Sequence, residues 1–356
     1  MKKFDKNFEP QVAILMAAHN EEKVLEKKLE SILQSSYPQN KIQVFIGSDC
    51  STDATNEILQ KYAEKFSNIH FFAFENRQGK PAILNQLVKK TNAEFLILTD
   101  ANVFFDTHLI SNLVRNFEDK KIGLVGADII NTGLKKDGIS VQEDSYIKGE
   151  TQLKYREGNI FGTMMGPFGA CFAMRKSCYA TIPDGFIVDD FYLCMKVYEQ
   201  SFKGIVDLEA KCFEDVSNQP KEEFRRKKRI SIGNFQNLKT FQKFIFHKNL
   251  GLSFCFVSHK VLRWFGAYFL ILAYFSNLFL MCFENDSSMF SLLFIFQTLF
   301  YIGYFLDKIL SKINIHIAFL RLISHFIAMN TALLLGHFAF LSKNYNTVWK
   351  PTERNQ

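Results

Sequence analysis

The segment Phe95-Leu-Ile-Leu-Thr-Asp-Ala-Asn102 decides the fold class of this chain. An uncharged apolar run leads directly into two polar side chains, which is typical of a strand buried on both faces of a parallel sheet. In open sheets of this kind, ligands bind beyond the carboxyl ends of the strands. Asp100 and Asn102 are therefore the first candidates for a binding site.

Similar short apolar runs occur on both sides of this segment and alternate with amphipathic stretches. The predicted strands cover residues 12–17, 42–46, 69–74, 95–99, 122–127 and 170–174. The predicted helices cover residues 22–33, 56–66, 82–89, 109–117, 144–156 and 191–198. This alternation predicts an α/β fold, an open and mainly parallel sheet with flanking helices.

Composition narrows the class of protein. The chain has 356 residues and a net charge of +7, and 47% of its residues are hydrophobic, which excludes a wholly disordered chain. No repeat period is visible, and the seven cysteines show no metal-ligand spacing, so we expect free thiols in a reducing compartment. Because no apolar signal segment precedes the first strand, we expect the domain before the apolar region to stay in the cytosol.

Beyond about residue 253 the apolar runs lengthen to membrane scale. Three spans are predicted at 264–283, 290–306 and 322–341, each close to the length that ~30 Å of hydrocarbon requires. The segment 236–263 before the first span contains five cations, Lys239, Lys243, Lys248, Lys260 and Arg263. The loop after the span contains Glu284 and Asp286 but no Lys or Arg. The positive-inside rule then predicts a multi-pass protein of the cytoplasmic membrane with its catalytic part in the cytosol. The side of the C-terminal tail is left open.

These observations divide the chain into four segments. Residues 1–235 are predicted to form a cytosolic domain, and residues 236–263 a basic, amphipathic segment at the membrane interface. Residues 264–342 would contain the transmembrane helices, and residues 343–356 the tail.

Asp100 and Asn102 suggest a metal–diphosphate site. Hard cations such as Mg²⁺ bind one or two carboxylates and complete their shell with phosphate oxygens, and an Asn oxygen is a competent ligand. The alternative is a turn in which the two side chains bond to the local backbone. These residues alone do not decide between the two interpretations.

Asp49 follows the predicted strand 42–46, and we expect it at the same sheet edge as Asp100. A carboxylate at this place can accept a hydrogen bond from the edge of a base such as uracil. Lys80 precedes the helix predicted at 82–89, and a cation together with free backbone amides at a helix start suits nucleotide phosphates. Asn20 comes after the first strand, and for this residue we expect a helix cap.

Asp189 and Asp190 open the helix predicted from residue 191. Acids at a helix start are common because they complement the helix dipole. The functional interpretation is that Asp190 is a general base that accepts a proton from a hydroxyl group. Arg226 and Arg229, three residues apart in a basic run, could bind a leaving diphosphate, rest on anionic lipid headgroups, or both. Nucleic-acid binding is disfavoured because apolar spans come after the run.

Taken in order, these pieces resemble the family 2 glycosyltransferases, in particular the membrane-bound branch that builds bacterial polysaccharides. The matching segments are Ala18-His-Asn-Glu-Glu22, Ser48-Asp-Cys-Ser-Thr-Asp53, Gly79-Lys80 with Asn85, Thr99-Asp-Ala-Asn102, Gly169-Ala-Cys-Phe-Ala-Met-Arg175, Val188-Asp-Asp-Phe-Tyr-Leu193, Arg226 to Arg229, and Ser258-His-Lys-Val-Leu-Arg-Trp264. They extend over nearly the whole chain, and the ordered set is more specific than any single motif.

The resemblance implies a GT-A fold and an inverting transfer of a hexosyl or N-acetylhexosaminyl group. The donor would be a nucleoside-diphosphate sugar, with a UDP-sugar expected, and the acceptor a hydroxyl of a lipid-linked or polysaccharide molecule at the membrane. Membrane lipids are the other expected partner, and Mg²⁺ or Mn²⁺ the expected cofactor.

By the same resemblance, Asp190 would be the catalytic base and Asp49 would contact the base of the nucleotide. The remaining assignments are Asn20, Lys80, Asp100 and Arg229 to the nucleotide, and Asp100 with Asn102 to the metal.

Two departures from the family pattern bear on activity. Arg226 stands where processive members have Gln, and Ile230 stands where they have Trp, which weakens a prediction of processivity. Asn102 replaces the usual second acid on the metal side. This second departure keeps an alternative open, a catalytically silent subunit that binds a nucleotide sugar within a polysaccharide assembly complex.

Overall fold

The computed structural model describes residues 8–134, 140–215, 219–283 and 288–345. They form two compact units. The sheet unit contains the described residues up to 215 together with Lys239–Phe256, and the helical unit contains Gln219–Leu238 and Val257–Tyr345. The predicted signal-free start (1–7), the acids Glu284 and Asp286, and the tail from residue 346 lie outside the described residues.

The sheet of the first unit has eight strands within the described residues. They are β1 (Val12–Ala18), β2 (Ile42–Asp49), β3 (Ile69–Phe74), β4 (Phe95–Asp100), β5 (Val103–Phe105), β6 (Ile122–Thr132), β7 (Cys171–Arg175) and β8 (Lys203–Asp215). Their order across the sheet is β3-β2-β1-β4-β7-β6-β8-β5.

The sheet is mixed. β1 pairs in parallel with β2 and β4, β2 pairs in parallel with β3, and β6 with β8. β7 is antiparallel to both β4 and β6, and β5 is antiparallel to β8. The predicted α/β class is confirmed, since the first four predicted strands form the parallel half, and β1, β2 and β4 are almost wholly buried in the core.

Helices flank the sheet and connect its strands. In the sheet unit they are α1 (Glu22–Leu33), α2 (Thr55–Lys65), α3 (Lys80–Leu87), α4 (Leu109–Val114), α5 (Ser140–Phe161) and α6 (Asp189–Glu199). Helix α7 (Pro220–Phe241) comes after the sheet, and then α8 (Leu250–Cys255), α9 (Leu262–Trp264), α10 (Gly266–Phe283), α11 (Ser288–Lys312) and α12 (Ala318–Ser342).

Two strands were not predicted. β8 alternates charged and apolar residues and is buried only in part, so it lacks the continuous apolar run by which the other strands were recognised. β5 has three residues and begins immediately after Asn102, where the sequence shows no separate strand signal. Short and half-buried strands are stabilised by their neighbours in the sheet, and a single sequence carries little signal of that pairing.

The helical unit contains three helices that are long and apolar enough to cross a membrane, α10, α11 and α12. They coincide closely with the three predicted spans. Polar side chains join elements of this unit: Asn277 donates to Gln297 over 3.1 Å, and Ser231 on α7 donates to the backbone oxygen of Leu333 over 2.7 Å. A side-chain bond between two apolar helices, such as the one from Asn277 to Gln297, is a common form of association in membranes.

Candidate active site

The carboxyl ends of three neighbouring parallel strands, β2, β1 and β4, meet at one edge of the sheet. Ala17 on β1 is opposite Gly47 on β2 and also opposite Asp100 on β4. The residues just beyond these positions therefore lie side by side, although they are far apart in sequence. Asn20, Asp49 and Asp100 are brought to this edge, as the sequence predicted.

Asp49 is buried, and its carboxylate is held by the turn that precedes α3. Oδ1 accepts from the Gln78 amide over 2.7 Å, Oδ2 accepts from the Gly79 amide over 2.9 Å, and Arg77 Nε lies 3.3 Å from Oδ2. Gly79 has φ +85°, a conformation that favours glycine. Asp49 thus fixes the turn that leads into Lys80, and its contact with a nucleotide base stays a prediction.

Asn20 belongs to a junction between the starts of α1 and α2. Its Oδ1 accepts from the Thr52 amide over 2.8 Å, and the Asp53 and Glu22 carboxylates accept amides across the same junction, at 3.2 Å and 3.0 Å. The expected helix cap at Asn20 is wrong, because the N-cap of α1 is Glu21 and has no side-chain cap bond. These amides already have partners within the junction. Nucleotide binding by Asn20 stays a prediction.

Lys80, the first residue of α3, lies at the centre of the candidate site. Its Nζ is 2.7 Å from Asp100 Oδ1, 3.9 Å from Asp189 Oδ2 and 3.3 Å from the backbone oxygen of Gly169. Burial alone would lower the pKa of Lys80, but Asp100, Asp189 and Asp190 outweigh it and raise that pKa above its ordinary value. Lys80 is therefore a firmly charged cation that links β4 to the start of α6.

Asp190 lies at the start of α6 and against the loop before β7. Its Oδ1 accepts from the Phe191 amide over 2.8 Å, and a Cβ added to Gly169 would come within 3.1 Å of its Oδ2. Burial and then the neighbouring Asp189 carboxylate raise the pKa of Asp190 to about 6. A carboxyl with a pKa near the working pH is suited to accept a proton from a hydroxyl group.

Asp189 is a member of the site that the predicted set omitted. It is 7% exposed, and its Oδ2 has no hydrogen-bond partner, with Lys80 as the neighbouring cation at 3.9 Å. The signal in the sequence was the pair of acids itself, but adjacent helix-opening acids are commonly explained by the helix dipole. The structure adds the reason to include Asp189, which is its approach to Lys80.

Lys28 supports the strand that carries Asp100, and it was also missed. Its side chain is fully buried, donates to Thr99 Oγ1 over 2.9 Å and to the backbone oxygen of Val103, and lies over the ring of Phe105. Burial lowers its pKa to about 7. The signal was a lysine on the apolar face of α1, between Leu25 and Ile32, where a charged residue needs buried partners.

Asn102 and Asp100 were the predicted metal ligands. Asp100 reaches solvent with 35% of its side chain exposed, whereas Asn102 is buried and its amide nitrogen is 3.5 Å from Glu214 Oε1. Among the residues that the structure describes, no group of three or more His, Cys, Asp or Glu side chains could hold a metal ion. Asp100 is thus an accessible protein carboxylate at this edge, and Asn102 as a ligand stays a prediction.

Arg229 lies on α7 in the helical unit. On the same helix Arg226 forms an ion pair with Glu223 at 2.8 Å, and Arg225 with Glu222. The predicted contact between Arg229 and the diphosphate of a nucleotide stays a prediction.

A family comparison identifies the domain that carries this edge. The model of glycosyl transferase family 2 matches residues 13–182. Residues 13–182 are a family 2 glycosyltransferase domain. The match contains Asn20, Asp49, Lys80 and Asp100 and ends before Asp190, so the place of Asp190 in the site rests on the geometry described above.

Among curated proteins, this chain is similar to the beta-monoglucosyldiacylglycerol synthase of Nostoc sp., with 29% identity over 143 residues. The match covers 40% of this chain and 29% of the length of that relative.

Solved structures show the fold. The mannosyltransferase PcManGT from Pyrobaculum calidifontis, solved with GDP-Man and Mn²⁺, matches with a TM-score of 0.67 and 16% identity, over 96% of this chain and 90% of the other. TarS 1–349 from S. aureus, solved with UDP, matches with a TM-score of 0.50 and 14% identity, over 94% and 92%. The predicted GT-A fold is confirmed.

Proposed function

We propose that this protein is an inverting glycosyltransferase that transfers one sugar from a nucleoside-diphosphate donor to an acceptor hydroxyl at a membrane. The observation that carries the proposal is the convergence on Lys80 of Asp100, from the end of β4, and of the acids that open α6. A firmly charged cation beside a solvent-reaching carboxylate suits a diphosphate, and a nearby carboxyl of raised pKa suits a hydroxyl group.

The chemistry assigned to Asp190 is general-base catalysis. The acceptor oxygen attacks the anomeric carbon on the face opposite the diphosphate, and its proton moves to the Asp190 carboxylate. The bond between the anomeric carbon and the diphosphate oxygen breaks, and the diphosphate leaves with the electron pair. Because attack and departure occur on opposite faces, the configuration of the anomeric carbon is inverted.

Lys80 is assigned to the leaving group. Its ammonium lies between Asp100 and Asp189, and a diphosphate bound at this edge would place its negative charge beside Lys80, which then stabilises the charge that develops on the leaving oxygen. Asp49 would position Lys80 indirectly, through the turn that it holds at Gln78 and Gly79.

The residues present fit a Mg²⁺ or Mn²⁺ ion that is held largely by the donor. Such ions commonly bind one or two protein carboxylates plus substrate phosphates, and Asp100 offers an accessible carboxylate at the sheet edge. When bound, the ion would neutralise the charge of the leaving diphosphate.

For the donor we favour a UDP-sugar, and for the acceptor a lipid-linked or glycan hydroxyl. The buried carboxylate of Asp49 at a strand end is suited to the N–H edge of uracil, and TarS, which shares the fold, was solved with UDP. The membrane acceptor is supported by the three apolar helices and by the glucosyldiacylglycerol named for the Nostoc relative. The distribution of Lys and Arg supports a cytosolic site.

The direct test incubates membranes that contain the full chain with a panel of labelled nucleotide sugars and identifies the product by mass. We expect transfer from one donor class, dependent on Mg²⁺ or Mn²⁺, with the sugar attached in the inverted configuration. Binding of a donor without transfer or hydrolysis under any acceptor and metal condition would instead support the silent nucleotide-sugar-binding subunit. A retained configuration would contradict the assignment of Asp190.

A further inference from the structure

Large apolar side chains are exposed at one end of the sheet unit, in the segment before the membrane-scale helices. Phe246 is 95% exposed, Leu250 79% and Phe254 62%. Leu250 and Phe254 lie one turn apart on α8, and Phe246 lies in the connection just before it. We call these three residues the Phe246 patch. Contiguous exposed apolar residues of this size usually mark an interaction surface.

The Phe246 patch is held in place from beneath. On α8 the opposite side chains, Leu252 and Cys255, are buried, and Asn249 accepts from the Leu252 amide at the start of the helix. The helix also packs closely on α5, because a Cβ at Gly251 would come within 2.7 Å of the Phe161 ring. α8 therefore has one anchored face and one outward apolar face.

Helix α5 extends the apolar surface. Its last residue, Phe161, is 40% exposed and its ring centroid is 6.1 Å from that of Phe254. The exposed surface thus comes from two elements that are distant in sequence. A surface assembled in this way is a feature of the folded domain and not of a loose linker.

The charge around the Phe246 patch is positive. Lys239, Lys243 and Lys248 are exposed in the same segment of the sheet unit, and the sequence from Phe224 to Phe283 contains no Asp or Glu. Lys243 forms an ion pair with Glu199 at 2.7 Å while 62% of its side chain stays exposed. Apolar side chains within a lysine-rich segment are typical of chains that lie in the interface of an anionic bilayer.

The course of the chain selects the lipid bilayer over a protein partner. Directly after α8 the chain continues through Phe256–Val261 and α9 into α10, which is apolar and long enough to span a membrane. A segment that leads into such a helix is near a bilayer surface whenever the helix is inserted. A protein partner would have to supply both an apolar groove and acidic groups at that surface.

We propose that the sheet unit itself binds the membrane: the Phe246 patch and Phe161 insert into the headgroup–acyl boundary, and Lys243 and Lys248 contact anionic lipid headgroups. This contact is separate from the spanning helices and does not depend on the proposed transferase activity. Insertion of about 5–10 Å is usual for interfacial apolar faces.

The test places the photocrosslinking residue p-benzoylphenylalanine at position 246, 250 or 254 of the full chain, reconstituted in nanodiscs of phosphatidylcholine with phosphatidylglycerol. The matched control carries it at Leu134, which is also on the sheet unit and 44% exposed. We expect phospholipid adducts at the three patch positions after irradiation and none at position 134. Adducts with another polypeptide, or no lipid adduct at any patch position, would overturn the proposal.

A second measurement tests the role of the lysines. In nanodiscs without phosphatidylglycerol the adduct yield at position 246 should fall, and in the variant Lys243→Gln/Lys248→Gln it should no longer depend on the anionic lipid. Thermal unfolding of each variant controls for loss of fold. Equal yields in neutral and anionic nanodiscs with the lysines present would contradict the electrostatic part of the proposal.

Discussion

Asp49 and Asp190 end up at the same edge of one sheet but in opposite environments. The Asp49 carboxylate accepts from two backbone amides and lies beside Arg77, so its charge is well compensated. Asp190 is desolvated beside a second carboxylate, and its pKa is raised to about 6. The Asp49 environment supplies hydrogen-bond donors and fixes a turn, whereas the Asp190 environment disfavours the carboxylate anion and makes it a better proton acceptor.

The largest expected effect is on kcat and concerns Asp190. Asp190→Asn should lower kcat by about 10²–10⁴-fold, because an amide cannot accept the proton, while donor affinity changes little. Transfer assays and calorimetric titration with the donor or its nucleoside diphosphate measure the two quantities. The control is Asp184→Asn, an exposed acid in the loop before α6, which should leave kcat unchanged. Wild-type kcat in Asp190→Asn would exclude Asp190 as the base.

The pH profile tests the same residue without a mutation. Asp190 accepts a proton only when it is ionised, so kcat/KM should rise with pH, by about tenfold per unit below a pKa near 6, and level off above it. Initial rates from about pH 4.5 to 8 at saturating metal measure this rising limb of the kcat/KM profile. A limb at the ordinary carboxyl pKa, near ~4, would show that the raised pKa does not control the rate.

Removal of the Lys80 ammonium, which lies near Asp100 and Asp189, should lower the free energy of unfolding. Lys80→Met leaves Asp100 and the two acids of α6 without their ammonium partner, and we expect unfolding to become easier by about 1–3 kcal/mol. Asp100 is 35% exposed, so solvent screening puts the loss toward the lower end. Denaturant unfolding in detergent measures it, with Lys61→Met, which removes an exposed ion pair with Glu26, as the control. Equal stability of Lys80→Met and the wild type would contradict the central role of Lys80.

The smallest expected effect is a difference in sign between the stability changes caused by Asp190→Asn and by Asp49→Asn. The raised pKa of Asp190 means that the folded state binds the proton of this carboxyl more tightly than the unfolded state does. The free-energy cost that ionised Asp190 imposes on the folded state therefore grows from about pH 4 to about pH 6 and is complete above about pH 6. Asp190→Asn should therefore stabilise the protein at about pH 7.5 and have little effect below about pH 4.

Asp49→Asn should instead destabilise the protein at the same neutral pH by about 1 kcal/mol, because a carboxylate with two amide donors and Arg77 is replaced by a neutral group. Unfolding midpoints of the two variants, measured side by side at both pH values, check the opposite signs. Shifts of the same sign would show that the two environments do not differ as described.

The buried strands and the polar residues at their ends could be predicted because their signal is local. A continuous apolar run such as β1 or β4 indicates a buried strand, and the polar side chains at its carboxyl end are candidate ligands. The unpredicted strand β8 and the buried Lys28 show the limit of this reasoning. Both depend on partners far away in sequence, and a single chain without its fold does not show which partners these are.

From the sequence alone we could predict the order of the buried strands and their flanking helices, the three apolar helices and most of the polar residues at the sheet edge, because periodicity and chain order are properties of the sequence. The contact of Lys80 with Asp100, the approach of Asp189 to Lys80 and the different environments of Asp49 and Asp190 become visible only in the folded structure. The physical reason is that burial and charge pairing depend on distances through space, and these are set when separate strands and loops meet.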